Sequence, residues 1–282
     1  MEKHSTLLVS NHAELDEFMA SSEGHKLLAL DVEGVRISRT GEATLAVVGV
    51  QTPIRVEVYL FDLLDETVEH YIRQMSTLKS VLEDPSIIKI MHDCRQKSDA
   101  MNELFGFKIA GVFDTSVYNM YLSGSAGRDS LNNSLSFYGC ETNRAREKPN
   151  AFHAENGTIW GNRPLTKEQI LCASSDVSSL FDLRRKMVAF VPPERKAEIQ
   201  LASENALDEF RSLRWLEDIQ IAQERMGRVI GMGGSGIESI RGLSGATINN
   251  CFGGGFRIMA KDKMGITIAK KMIIGRSSLT KN

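Results

Sequence analysis

Apolar residues in the first half of this chain come in short runs bounded by polar turns. Residues 27–32, 43–50 and 56–62 read as strands. Helical spacing follows over 75–82, and Asp84-Pro85 ends it ahead of the apolar run 87–91. Residues 93–104 read as a helix with Gly106 as its stop signal, and 112–114 as a short strand feeding a helix over 116–122. Residues 139–161 are polar and poorly periodic, contain Pro149 and Gly157, and read as a long mobile loop. Residues 166–190 form a strong helical segment. Pro164 precedes it, Thr166 with Gln169 makes a capping-box-like start, and Pro192-Pro193 ends it. A charged amphipathic helix over 194–216 reads as a connector. Early strands on short turns, then alternating elements, predict an α/β fold with a mixed sheet.

A chain of 282 residues with 42% apolar content is long enough for a sizeable core and two domains. No apolar run would span a bilayer. The start, Met1-Glu2-Lys3-His4-Ser5, has no basic region leading into an apolar core, so no secretory signal is expected. Cys94, Cys140, Cys172 and Cys251 stand far apart with no C-x-x-C pair, which argues for free thiols rather than a zinc site or disulfide framework. The expected location is therefore intracellular, cytoplasmic or nuclear, with no membrane partner. A net charge of −2 hides an asymmetry. Residues 219–282 hold ten Lys and Arg against three Asp and Glu, giving +7, so the other 218 residues carry −9. A basic tail on an acidic body suggests a polyanion partner, and a merely soluble basic surface is the plainer alternative.

The first run ends in chemistry: Leu28-Ala29-Leu30-Asp31-Val32-Glu33-Gly34. On a strand, Asp31 and Glu33 point to the same face. Two carboxylates there repel, and a divalent cation such as Mg²⁺ is the usual reason for placing them together. An exposed strand edge is the alternative reading.

Further pieces extend this. Ile88-Lys89-Ile90-Met91-His92-Asp93-Cys94-Arg95 is a strand, a His and a helix start; Phe113-Asp114-Thr115 follows. Trp160-Gly161-Asn162-Arg163-Pro164-Leu165-Thr166 then introduces the helix that carries Ala173-Ser174-Ser175-Asp176-Val177. In order and spacing, residues 27–187 resemble the DEDD family of 3′–5′ exonucleases, in the ribonuclease D branch. His92-Asp93-Cys94-Arg95 is closest to the subgroup of Egalitarian and the exonuclease 3′–5′ domain-containing proteins. The resemblance implies a ribonuclease H-like mixed sheet with flanking helices. It also implies Mg²⁺ or Mn²⁺ held by catalytic carboxylates at Asp31, Glu33 and Asp176. Two positions depart from the pattern. Lys97 stands where the second-motif acid is expected, and Cys172 where the water-orienting Tyr is expected, with Leu171 one further back. An ammonium cannot ligate Mg²⁺. Lys97 is instead expected to pair with Asp31 or Glu33 in the place of one cation, leaving one ion or none. Asp99 lies about 200° round the helix from Lys97 at ~3.6 residues per turn and faces away. Asp93, four residues before Lys97, is expected on its face, reaching the site or pairing with Lys97. His92 is expected to make a structural hydrogen bond and Asp114 to cap a helix. For Arg163, phosphate contact and a structural salt bridge weigh equally.

The basic tail has its own motif. Gly227 to Ile240 contains Gly231-Met232-Gly233-Gly234, with a strand over 219–222 before it. A helix, a strand over 246–248, a loop at Gly253-Gly254-Gly255, a strand over 256–260 and a helix over 266–274 follow. The segment resembles a type I KH domain, a small α+β fold. That resemblance implies single-stranded RNA as partner, without excluding DNA. Gly231, Met232, Gly233, Gly234 and Arg228 would form the RNA-binding loop. Met232 stands where the family often has a basic residue. The expected organisation is an exonuclease-like domain over 1–190, a helical linker over 191–218 and the KH domain over 219–282. Three functions compete: an RNA-binding protein on an exonuclease scaffold with hydrolysis weakened or lost, a working exonuclease that holds RNA by its KH domain, and a protein–protein adaptor. Nothing in the sequence fixes the oligomeric state.

Overall fold

The computed structural model describes residues 4–64, 68–125, 127–147, 154–251 and 254–278. The chain packs as two compact units, 1–208 and 209–282. The first opens with β1 (His4–Val9) and α1 (His12–Ser22), which the sequence patterns above did not anticipate. It continues with β2 (Leu27–Val35), β3 (Glu42–Gln51), β4 (Val56–Asp62), α2 (Val68–Glu83), β5 (Ile88–Met91) and α3 (Cys94–Phe105). Then come β6 (Val112–Asp114), α4 (Thr115–Ser123), α5 (Leu131–Phe137), the short α6 (Arg144–Glu147), α7 (Lys167–Phe190) and α8 (Lys196–Arg211). The sheet order is β1-β4-β3-β2-β5-β6. β2–β3 and β3–β4 are antiparallel, and the other three pairs are parallel. This is the mixed α/β sheet that the sequence predicts.

Period-two alternation sorts β2 between two cores. Leu28, Leu30 and Val32 pack with Leu15, Phe18, Leu78 and Met101 on one face. Ala29 packs with Leu45, Val47 and Leu60 on the other, against Val177, Leu180 and Phe181 of α7. Asp31 and Glu33 share the parity of Ala29 and so face α7. That helix presses close because Gly49 has no side chain: a Cβ there would come 2.8 Å from Val177 Cγ1. Its start is a full capping box between Thr166 and Gln169.

The helix expected to be a linker contributes to the first core. Ala206 and Leu207 of α8 are buried in it, Ile199 is buried in the core on the other face, and the Ser203 hydroxyl accepts from the Asp114 N–H at 2.6 Å. Within residues 139–161, where a mobile loop is expected, α6 and a 3-10 turn over Ala154–Gly161 are ordered; Pro149 lies outside the described residues.

The second unit holds β7 (Trp215–Ile219), α9 (Gln223–Ile230), α10 (Ser235–Ser244), β8 (Thr247–Asn250), β9 (Phe256–Ala260) and α11 (Lys263–Ser278). Its antiparallel sheet runs β7-β9-β8. The strand–helix–helix–strand–strand–helix order agrees with the KH expectation. The first strand ends at Ile219, where it was expected to begin, because Trp215 to Ile219 pair with Ala260 to Phe256. Val229, Ile237, Ile240, Ile248, Ile258 and Ile273 fill the core. Of the glycine loop expected after β8, Gly253 lies outside the described residues.

Candidate acid cluster and glycine loop

Asp31 and Glu33 project from β2 and meet Asp176, in the middle of α7. One carboxylate oxygen from each lies within 4.8 Å of the others, and all three residues are nearly buried. The three acids expected to cluster do so. Lys97, from α3, comes in beside them. Its ammonium pairs with Asp31 and also donates to the His92 carbonyl at 2.9 Å.

A second cation arrives from the segment read as a loop. The Arg146 guanidinium pairs with Glu33 through Nη2 and with Asp176 through Nε. Asn143 supports it, its amide donating to Asp176 Oδ1 at 2.7 Å and to the Cys172 carbonyl at 2.8 Å. Sequence reasoning missed both residues. No spacing marks them, since Arg146 reaches Glu33 across 113 positions.

Burial and mutual repulsion set the protonation of the cluster. Burial raises Glu33 to about 7; Arg146 pulls it down, while Asp31 and Asp176 push it up. Asp176 is also raised, chiefly by burial. Burial opposes the Lys97 charge, but Asp31 and Glu33 outweigh it and hold that ammonium above the ordinary lysine value. The Arg146 guanidinium is held charged in the same way. Burial drives Cys172 to about 12, so it stays a thiol beside the cluster. As a donor set, three carboxylates suit one hard divalent ion. Lys97 and Arg146 hold cationic nitrogens against those same oxygens.

The neighbouring residues are structural. Asp99 faces away and is held by Arg39, with Nη2 at 2.6 Å. Asp93 neither joins the cluster nor pairs with Lys97; it binds Arg95 at 2.7 Å and Arg128 at 3.4 Å. The expected i,i+4 geometry fails because Asp93 caps the helix in the left-handed region, φ 49°, one residue before the helical phase begins. His92 is fixed between Thr115 Oγ1 at 2.8 Å and the Asp129 carbonyl at 2.9 Å. Asp114 caps α4 through the Ser116 N–H and accepts from the Asp93 and Cys94 amides and Arg128. Arg163 makes a two-pronged salt bridge to Asp62, at 2.5 and 2.7 Å, and donates to the Thr44 and Trp160 carbonyls. The structural reading of Arg163 is the one its geometry supports.

In the second unit, Gly231, Gly233 and Gly234 all have positive φ, at 75°, 59° and 82°. Only glycine takes these values routinely, so the loop turns tightly from α9 into the first turn of α10 and leaves its backbone approachable. Met232 stands out at its tip, 93% exposed, and Arg228 is exposed on the last turn of α9. No helix among the described residues is long and apolar enough to cross a membrane.

Comparison with known proteins now bears on both sites. A 3′–5′ exonuclease family model matches residues 7–191, and a KH domain model matches residues 216–275. The piRNA biogenesis protein EXD1 of Xenopus laevis is 28% identical over 176 residues, 59% of this chain and 38% of that protein. Ribonuclease D of Gluconacetobacter diazotrophicus is also 28% identical over 176 residues, 62% of this chain and 40% of that one. The chain thus spans about two-fifths of the length of these curated relatives. Trypanosoma brucei RNase D superposes with a TM-score of 0.60 at 21% identity, over 73% of this chain and 72% of that one. Its complex with RNA U12 gives 0.59 at 20% identity, over 73% and 70%. This protein shares the RNase D-like fold, and the family it resembles normally uses divalent metal ions. The chain belongs to the 3′–5′ exonuclease family and carries a KH domain behind its exonuclease domain.

Proposed function

We propose that this chain is an RNA-binding protein on an exonuclease scaffold, with the hydrolytic centre filled by its own cations. One observation carries the reading: Lys97 sits on Asp31, and Arg146 bridges Glu33 and Asp176. Two-metal phosphoryl chemistry needs one ion to activate the water and one to stabilise the leaving oxygen. Here an ammonium and a guanidinium lie against the oxygens that would hold those ions. Neither can deliver a metal-bound hydroxide, and the Cys172 thiol is no replacement for the water-orienting group.

The partner is single-stranded RNA, held chiefly by Gly231, Met232, Gly233, Gly234 and Arg228. A KH domain, a glycine loop of the right conformation and a +7 charge over residues 219–282 support it. Likeness to piRNA biogenesis proteins points to small-RNA metabolism as the setting, in cytoplasm or nucleus. A second reading rests on the three clustered acids. If Arg146 swings out, they would hold one Mg²⁺ or Mn²⁺ and support slow 3′–5′ hydrolysis.

The test is a degradation assay on 5′- and 3′-labelled single-stranded RNA with Mg²⁺ and Mn²⁺, with Asp31→Ala as control. The expected result is RNA that binds and stays intact. Shortening from the 3′ end that disappears in Asp31→Ala would establish the second reading.

A further inference from the structure

We propose that Arg276, in the last turn of the closing helix, supplies the phosphate contact that Met232 withholds from the glycine loop. The inference rests on reading that loop as the RNA clamp.

The placement follows from two close approaches. A Cβ on Gly265, near the start of α11, would lie 2.9 Å from the carbonyl of Ser244, the last residue of α10. A Cβ on Gly236, in the first turn of α10, would lie 2.6 Å from Nη1 of Arg276. The two helices therefore run antiparallel, and the end of α11 stands beside the glycine loop. A Cβ at Gly236 would also come 2.5 Å from the Val229 carbonyl and 2.8 Å from that of Ile230, at the end of α9. The absence of a side chain at residue 236 is what lets the guanidinium in.

Charge supplies the second part. Arg276 is half-buried, and among the described residues no carboxylate pairs with it and no hydrogen bond fixes it. Other basic residues of this unit are paired: Arg241 with Glu238, Arg257 with Asp218 and Lys270 with Glu217. The carbonyl ends of α9 and α11 favour a cation in this place. With no carboxylate paired to it, the guanidinium stands beside the first amides of α10, the group of donors that attracts an anion. A phosphodiester oxygen on those amides would meet the guanidinium, which is suited to phosphate. Met232, at the tip, offers no charge. Residue 276 lies just past the 216–275 stretch that matches the KH domain model.

The experiment measures binding of the full chain to a labelled 12-nucleotide oligouridylate by fluorescence anisotropy across a salt series. Arg276→Gln should weaken binding about threefold to tenfold and reduce the log–log salt slope by about 0.7, the value of one single-strand phosphate contact. Arg276→Lys should keep the slope. Adding Met232→Lys to Arg276→Gln should restore affinity by returning a cation to the loop. Unchanged affinity and slope in Arg276→Gln, while Met232→Asp with Gly233→Asp abolishes binding, would overturn the role of Arg276 alone. Loss of affinity in the Lys variant as large as in Gln would make the contact one of packing, and would also overturn it. If the double Asp change leaves binding intact, the clamp reading itself fails. Thermal melting of each variant, close to that of the parent, verifies that folded protein is being compared.

Discussion

The acid cluster and the glycine loop are opposites in how they balance charge. Three carboxylates in the first unit meet two cations from the same chain, and each carboxylate is paired with one of them. The loop in the second unit turns on three glycines, exposes Met232, and has a guanidinium nearby that no described carboxylate answers. One site is closed on itself and the other is open to an anion. The contrast is what the proposed function builds on: a binder on the scaffold of a metal-dependent nuclease family. Under the proposed function, side-chain cations in place of metal ions keep the acids folded in place without the chemistry, and affinity for RNA rests with the module that carries the glycine loop.

The strongest way to break this comparison is to take away a built-in cation. Lys97→Met leaves three buried carboxylates facing one guanidinium, and loss of one partner of a buried ion pair costs about 3–5 kcal/mol. Urea unfolding in EDTA should show that loss in the first unit, and added Mn²⁺ should recover much of it by binding the folded state. An unchanged midpoint would mean that Lys97 is not the counterion.

The converse change concerns the loop. Met232→Asp with Gly233→Asp should lower stability only modestly, by about 1 kcal/mol for holding an Asp at the left-handed backbone of Gly233, since both positions are away from the core. It should cost tenfold or more in single-stranded RNA affinity at fixed salt, about 1.4 kcal/mol. Equal loss on Asp31→Ala would place the RNA in the acid cluster instead.

A smaller effect sharpens the contrast inside the first unit. Lys89 is also buried, but it donates to the backbone carbonyls of Val81, at 3.4 Å, and Asp84, at 2.8 Å, and only the Asp84 carboxylate supports its charge. Burial lowers it to about 8, against the raised value of Lys97. The unfolded chain then binds more protons than the folded one between about pH 8 and the ordinary lysine value of 10.5. Stability from this group is therefore lowest below pH 8 and rises through that window. Wild type should gain on Lys89→Met across it in urea unfolding, and parallel curves would contradict the assignment.

Much of this was legible in the chain. The i,i+2 spacing of Asp31 and Glu33 places both on the α7 face, and Gly106 ends α3 in the left-handed conformation expected of it. The glycine loop and its flanking elements followed from local pattern. What escaped the sequence was tertiary. Arg146 sits in a stretch without periodicity, so nothing local marks it as the partner of Glu33 and Asp176. The Asp93 expectation failed through backbone geometry at a single residue, since helical spacing does not apply to a left-handed cap. β1 escaped because it is a short, half-exposed edge strand whose place depends on parallel pairing with β4, more than fifty residues later.

The central claim is that Lys97 and Arg146 stand in for the metal ions, and calorimetric titration with Mn²⁺ tests it most directly. Wild type should bind at most one ion tightly, whereas Lys97→Asp combined with Arg146→Ala should bind two. Two tight sites in the wild-type protein would contradict the claim.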